Sequence, residues 1–498
     1  MGRLLLAKGP NEAKRLSALY RQGKLRRLYK GIYSDNLQDS IEAIVLSHWM
    51  DIVAYIISDG ILSFRTAIEL KPIRYKGSGI VFVTSSYAKT ITLPGLTIKV
   101  IKGNNIDYTE QLLPYLARGN IVRTLLENLM PVKGVLKTVK TIGSEGVETF
   151  LAKELSRTNE RTLNGYRDLA KTIATDLGYA YEYKKLNDII SALLVTHPEN
   201  NILQSRYAKA MVKNEPFDSS RITLFEKLML YIKKCKFKSR HYEYSKTTFK
   251  NISFFESYFS NFIEGTEFII DEAEDIVFQG KEIYQRHADS HDILANFTLS
   301  NDFSEMNLTP QNPAELIEIL QNRHAYLMRE RPDKRPGYFK EKPNKAGNTF
   351  FVSPTEVIGT LTQGFDYYQL LSDGYEKALF MHLLISEVHP FDDGNGRLSR
   401  IMMNAELVKA GLYKIIIPTV HRDNYLNGLR LASRDNDFRI YCKVLDQAQA
   451  YVASINWLNY GEAREKIERD KANLTSDEGL PEFNRVLRTL YLSEFSSD

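Results

Sequence analysis

The chain has 498 residues, more than one hydrophobic core ordinarily supports, so two to four domains are expected, and 43% hydrophobic with 26% charged residues excludes a disordered polymer. Only two cysteines, Cys235 and Cys442, stand far apart, which excludes a disulfide framework or a cysteine metal cluster and favours a cytoplasmic setting; no apolar run is long enough to span a bilayer. Net charge is +5, yet residues 1–40 hold nine basic against three acidic side chains, so the remainder sums to about −1 and the basic excess is N-terminal.

In chain order, Met1 to Leu6 is too short for a secretory signal, and position 6 lacks the Ser or Thr of a myristoylation site. Asn11 to Gln22 predicts a helix with Ala13, Leu16 and Leu19 or Tyr20 inward. Gly23 to Tyr33 then alternates apolar and basic residues as a strand or wing does. The run Gly-Lys-Leu-Arg-Arg-Leu-Tyr-Lys-Gly-Ile-Tyr resembles the N-terminal winged-helix region of AbiEi-type antitoxin regulators. That resemblance implies contact with DNA phosphates through Arg21, Lys24, Arg26, Arg27 and Lys30. Ile80 to Thr84 and Leu96 to Ile101 read as strands of a small α/β unit, and Ile121 to Lys234 reads as helical. Lys233 to Arg240 is a short basic junction.

Phe254 to Phe268 is aromatic-rich and amphipathic, and contains Ser260-Asn261-Phe262-Ile263-Glu264-Gly265. Further on, Arg335 to Lys340 and Asn348 to Val352 read as two extended runs around the turn-forming Pro343 to Gly347, a β-hairpin. Tyr375 to Ile385 predicts a buried helix that ends before Pro390, placing His389 at a helix-to-loop edge. The next stretch is the most informative: His389-Pro390-Phe391-Asp392-Asp393-Gly394-Asn395-Gly396-Arg397-Leu398-Ser399-Arg400. Gly394 and Gly396 allow consecutive N–H groups to face one concavity, and a helix from Arg397 to Gly411 points its positive end at the same place. Arg397 and Arg400, three apart, share a face and suit phosphate oxygens; Asp393 suits Mg²⁺ shared with a nucleotide. Val420 to Tyr425 precedes a further helix and is expected to close the nucleotide pocket.

At every specified position this stretch resembles the Fic-family motif His-x-Phe-x-Asp/Glu-Gly-Asn-Gly-Arg-x-x-Arg. The resemblance implies transfer of AMP from ATP to a Ser, Thr or Tyr hydroxyl of a target protein, with release of pyrophosphate. It implies His389 as general base, Phe391 as core anchor and Asp393 as Mg²⁺ ligand. Gly394, Asn395 and Gly396 become the anion cradle, and Arg397 and Arg400 the phosphate binders. Ala378 and His382 fit the preceding Ala-x-x-x-His, with His382 a buried structural histidine. Ser260, Glu264 and Gly265 resemble the family's Ser/Thr-x-x-x-Glu-Gly/Asn inhibitory motif, in which Glu264 pairs with Arg400 and occupies the γ-phosphate position. The hairpin resembles the family's flap, with Tyr338, Phe339 and Lys340 aligning an extended target segment by strand addition.

The expected architecture is therefore a mainly α, multidomain protein. A winged-helix-like module spans 1–65, a small α/β unit 66–120, a helical linker domain 121–238, a Fic domain with its inhibitory helix and β-hairpin flap 239–460, and a helical tail 461–498. Two rival functions share the same residues: removal of AMP from a modified protein, or a DNA-binding antitoxin-like transcriptional regulator with a nucleotide-sensing Fic core. Candidate partners are the target protein, DNA through the N-terminal module and a further copy of the chain, with no membrane; ATP and Mg²⁺ are the small ligands.

Overall fold

β-branched and aromatic runs punctuated by turns dominate residues 60 to 119, and helical apolar spacing dominates most of the chain beyond residue 120. The computed structural model, which describes all residues except 1, 104–106, 137, 195–201, 213–214, 348, 373 and 491–498, divides along those lines. Helix accounts for 59% of it, in 22 α-helices among the described residues, so the protein is mainly α. The chain forms two compact units, residues 1–214 and 215–498.

The first unit opens with β1 (Leu4–Leu6), α1 (Pro10–Arg21), β2 (Arg26–Tyr29) and β3 (Ile32–Ser34), whose strands form an antiparallel sheet in the order β1-β3-β2. Leu16 of α1 packs with Leu25 and Tyr33 beneath it. After α2 (Ile41–Ser47) and α3 (Trp49–Ile56) come β4 (Ile61–Leu62), α4 (Phe64–Glu69), β5 (Ile73–Tyr75), β6 (Ser78–Ser85), β7 (Lys89–Leu93), β8 (Leu96–Lys102), β9 (Thr109–Leu113) and β10 (Leu116–Gly119). They make a seven-stranded mixed sheet in the order β7-β8-β6-β4-β10-β9, with β5 on β6. β6 is buried on both faces: Val81 and Val83 join the core under α2 and α3, whereas Ile80 and Phe82 join Phe64, Ile73 and Val139. β4 lies inside this sheet, so residues 61–62 share a layer with 73–119. Helices α5 (Ile121–Asn128), α6 (Gly143–Arg157), α7 (Glu160–Leu177), α8 (Ala180–Leu193) and α9 (Arg206–Val212) complete the unit.

The second unit is helical apart from one short hairpin. It contains α10 (Ser219–Ile232), α11 (Lys246–Ile263), α12 (Ile270–Gln279), α13 (His287–Asn301), α14 (Phe303–Met306), α15 (Pro313–Leu327), β11 (Lys345–Ala346), β12 (Thr349–Phe350), α16 (Val357–Gln369), α17 (Gly374–Val388), α18 (Asn395–Lys409), α19 (Arg422–Asp435), α20 (Arg439–Ala453), α21 (Tyr460–Arg469) and α22 (Ser476–Leu490). α17 and α18 are buried around almost their whole circumference, as expected of helices at the centre of a bundle. α11 is equally submerged, and its phenylalanines Phe254, Phe255 and Phe259 pack with Tyr451 and Phe483 of the C-terminal helices and with Trp457 in the turn between α20 and α21.

The hairpin is shorter than the sequence suggests. Arg335 to Lys340 is not a strand: Arg335 (φ 53°) and Gly337 (φ 82°) are left-handed, which turns the chain instead of extending it. The ladder is confined to Lys345↔Phe350 and Ala346↔Thr349, and Asn348 lies outside the described residues.

Candidate active site

α17 ends because the chain turns left-handed at His389 (φ 50°) and meets Pro390, which cannot donate a helical hydrogen bond. For a residue with a Cβ such a conformation costs about 1–2 kcal/mol, so it persists only where surrounding contacts impose it. The contacts are present on every side of the loop 389–394. His389 N donates to Ile385 O (2.9 Å) and its Nδ1 lies 3.3 Å from Ser386 O. Asn395 folds back on the loop, accepting from Phe391 N (2.9 Å) and donating to Phe391 O (2.8 Å). Phe391 is fully buried, as a core anchor should be.

Gly394 (φ 73°) starts α18 without a side-chain cap, so the first N–H groups of that helix are left for another acceptor. The carboxylate of Glu264 lies over them. A Cβ built at Gly396 would collide with that carboxylate, which makes glycine a steric requirement there. Glu264 Oε1 also accepts from Arg400 Nη2 at 2.6 Å, while Arg400 Nε and Nη2 donate to Ser260 Oγ and Ser260 O, both at 2.9 Å. Burial disfavours the Arg400 charge, but Glu264 and Tyr425 more than offset it and hold the guanidinium firmly protonated. Gly265 (φ 91°) lets the chain leave α11 directly after Glu264. The Ser260–Glu264 segment, His389 and the Gly394–Arg400 stretch thus converge.

One turn deeper, Asn404 Nδ2 donates to Glu256 Oε1 (2.8 Å), and Glu256 Oε2 takes the fully buried Lys414 (2.7 Å), whose Nζ also reaches Ser253 Oγ and Ser300 O. Glu256, Ser260 and Glu264 on α11 therefore face Asn404, Arg400 and Gly396 on α18, each set four residues apart and running in opposite directions.

Several groups that carry the site have no signature in the sequence. His324 accepts from Gly337 N at Nδ1 (2.9 Å), so its Nε2–H donates to Asp393 O (3.0 Å), and its ring stacks on Phe391 at 3.7 Å. Asp292 accepts from Arg331 and lies 2.6 Å from Arg397, so the Arg397 charge is balanced by a carboxylate from α13. Behind Arg400, Tyr441 OH donates to Leu379 O (2.7 Å) and so accepts from His382 Nδ1 (2.9 Å); His382 Nε2 then accepts from Tyr425 OH (2.8 Å). Burial and the Arg400 charge push His382 down to about 3, which suits a neutral ring in that chain of hydrogen bonds. His382 is thus a structural histidine with both nitrogens engaged.

The residues read as a target-docking strand divide three ways. Tyr338 is 65% exposed, Phe339 packs against Phe391 (5.1 Å between ring centres), and Lys340 is buried. What does face outward beside the site is Phe350 of β12, 69% exposed, while Phe351 stacks flat on the His389 imidazole at 3.8 Å. Burial pushes His389 down to about 4, with the Lys340 charge adding to the shift and Ser386 O, Glu264 and Asp393 opposing it. The imidazole is therefore neutral near pH 7. Asp393 is half-buried, and its Oδ1 accepts from Gly394 N (2.7 Å). Among the described residues no three His, Cys, Asp or Glu side chains cluster to hold a metal.

A model of the Fic/DOC family matches residues 315–407. A curated relative, protein adenylyltransferase Fic of Drosophila virilis, is 25% identical over 203 residues, 39% of this chain and 41% of that protein, so the chain spans about two fifths of the relative's length. Among solved structures, a Fic domain containing signaling protein from Bacteroides thetaiotaomicron is 20% identical and covers 47% of this chain and 95% of that one, with a TM-score of 0.36. IbpAFic2 in complex with adenylylated Cdc42 is 13% identical, covering 61% of this chain and 94% of that one, with a TM-score of 0.30.

Proposed function

We propose that this Fic-family chain, whose Fic domain occupies residues 315–407, transfers AMP from ATP to a hydroxyl of a target protein and is held in check by its own Glu264. The observation that carries the reading is the carboxylate already seated on the uncapped N-terminus of α18 and on Arg400. A site that attracts and holds an internal anion is built for an external one. In the active state the nucleotide phosphates replace Glu264 over Gly394, Asn395 and Gly396. Arg400 binds the terminal phosphate and Arg397, oriented by Asp292, supports the same cradle. Asp393 would hold Mg²⁺, which neutralises charge on the leaving pyrophosphate. His389 takes the proton of an incoming Ser, Thr or Tyr hydroxyl as its oxygen attacks the α-phosphorus. The target segment lies along the face marked by Tyr338 and Phe350, and Phe339 and Lys340 support that face from behind. Two buried free cysteines suit a cytoplasmic site of action.

The test is mass spectrometry of extract incubated with labelled ATP and either the wild-type chain or Glu264→Gly. AMP-bearing Ser, Thr or Tyr peptides that depend on His389 support the reading. Loss of AMP from an already modified protein, with no new modification, would replace transfer by removal.

A second reading concerns the first unit. Lys14, Arg21, Arg27 and Lys30 line a cleft of about 940 Å³ between α1 and the β2–β3 hairpin, and no carboxylate lines it. Arg26, by contrast, is spent on the carbonyls of Leu37 and Asp39. We propose that this face meets DNA phosphates in the manner of a winged-helix module. Affinity for duplex DNA should then fall steeply with salt, and its absence at low salt would leave the module a protein-docking or structural element.

A further inference from the structure

Four successive backbone carbonyls, those of Val388, His389, Pro390 and Phe391, are held by just two residues from the segment ahead of the hairpin. Lys340 N donates to Pro390 O (2.9 Å) and Lys340 Nζ to Val388 O (3.3 Å). Asn344 Nδ2 donates to His389 O (3.4 Å) and Phe391 O (3.0 Å). The two side chains are joined to each other, Lys340 Nζ to Asn344 Oδ1 at 2.7 Å. Asn344 O in turn accepts from Phe351 N (3.2 Å), and Phe351 covers the flat face of the His389 ring. Lys340 is only 3% exposed, and a lysine so buried needs a reason. Its ammonium meets one amide oxygen and one backbone carbonyl, not a carboxylate, so it is not an ordinary ion pair.

We propose that Lys340 and Asn344 are positioning residues of the active site: they clamp the carbonyls of residues 388–391, impose the left-handed turn at His389, and so aim its imidazole at the incoming hydroxyl. The segment 335–340 thus serves the base from behind instead of adding a strand to a target. His389 N is tied to Ile385 O and Asn395 grips Phe391, but the imidazole itself has the long contact to Ser386 O and the stack on Phe351, so the carbonyl clamp adds what those bonds do not supply. Charged groups around the imidazole are Lys340, Glu264 and Asp393, and those around Lys340 are Asp392 and Arg221. Burial lowers Lys340 to about 8, so near neutral pH it still carries the proton that both hydrogen bonds use.

The inference rests on His389 acting as the base, and the test separates the two. In the Glu264→Gly parent, Asn344→Ala removes hydrogen bonds only, whereas Lys340→Met removes hydrogen bonds and a charge. Both should lower kcat by roughly 10- to 100-fold with KM for ATP within about twofold, because a misplaced base affects the attack and not nucleotide binding. Lys340→Met should also move the acid limb of kcat/KM to higher pH, since the charge that disfavours imidazolium is gone; Asn344→Ala should leave that limb in place. Lys340→Arg should recover part of kcat and restore the limb. Histidine NMR titration of the same variants, without turnover, should show the His389 pKa rising only in Lys340→Met. If the parent itself transfers nothing, the functional reading fails and the NMR titration alone decides the clamp. Unchanged kcat in both variants, or an equal loss with no difference between them in the acid limb and the His389 titration, would overturn the proposal.

Discussion

At the scale of single residues the proposed function makes the site a competition for the anion position that Glu264 occupies. Glu264 sits at the C-terminal end of α11, where a helix dipole disfavours negative charge, and it tolerates that place because the N-terminus of α18 and Arg400 face it. Removing the carboxylate by Glu264→Gly takes away one charge-assisted hydrogen bond of about 1.5–3 kcal/mol. His389-dependent AMP transfer to an extract should rise by roughly 10- to 100-fold on that ground, as read by labelled-ATP incorporation. Arg400→Ala should be poor in either background, because lock and productive phosphate use the same guanidinium; a fully active double variant would remove Arg400 from the phosphate site. His389→Ala should lose about 10²–10⁴ in rate while nucleotide affinity, measured by calorimetry in the Glu264→Gly background, stays unchanged. Retained transfer by that variant would place the base elsewhere.

Elements decide whether Glu264 can leave. α11 does not carry its glutamate on a loose arm: the Glu256–Lys414–Asn404 cluster fixes its register against α18 two turns from the site. Glu256→Ala strands the fully buried Lys414 ammonium, a loss of about 3–5 kcal/mol. Glu256→Gln keeps the contact to Asn404 and is the gentler probe. With the register loosened, Glu264 should spend less time on Arg400, so transfer by Glu256→Gln should exceed wild type and stay below Glu264→Gly. A lower melting temperature with no gain in transfer would reduce the cluster to a purely structural one. This scale also marks where the sequence is legible. The stretch 389–400 could be read because turn, helix start and arginines act within a dozen residues. The Glu264–Arg400 pair was readable only through its family resemblance, 136 residues apart as it is. His324, Asp292, Lys340, Asn344 and Glu256 leave no signature in the sequence, since the partners that tie them to the loop 388–393, to Arg397 and to Lys414 lie 45 to 158 residues away. The strand expected at 335–340 failed for a local reason, two left-handed residues in a stretch that bonds to the loop at Pro390 instead of to a neighbouring strand.

At the scale of the whole molecule, each unit has its own core, and acid should act on them unequally. His324, His382, His389 and His421 belong to the second unit and lie at about 4, 3, 4 and 4, each lowered first by burial. A histidine whose folded pKa lies below its unfolded value of about 6.5 stabilises the fold fully above that value and loses this as pH falls toward the folded pKa, because the unfolded chain takes up the proton first. Between pH 7 and 5.5 each of the four should give up about 1 kcal/mol. Glu406 works the other way. Burial raises it to about 7, against a hydrogen bond from Tyr368, so the folded state gains a proton in the same interval and recovers about 1.5 kcal/mol. The second unit should therefore melt several degrees lower at pH 5.5 than at pH 7, a net loss of about 2.5–3 kcal/mol. Glu406→Gln deletes the compensating proton and leaves the histidines untouched, so its melting temperature should fall more steeply over that range than the wild type's. Calorimetric scans of both proteins at pH 7, 6.25 and 5.5 measure this directly. Parallel slopes would mean that Glu406 does not titrate there, and a wild-type transition that rises with acid would mean that the buried histidines are protonated in the fold.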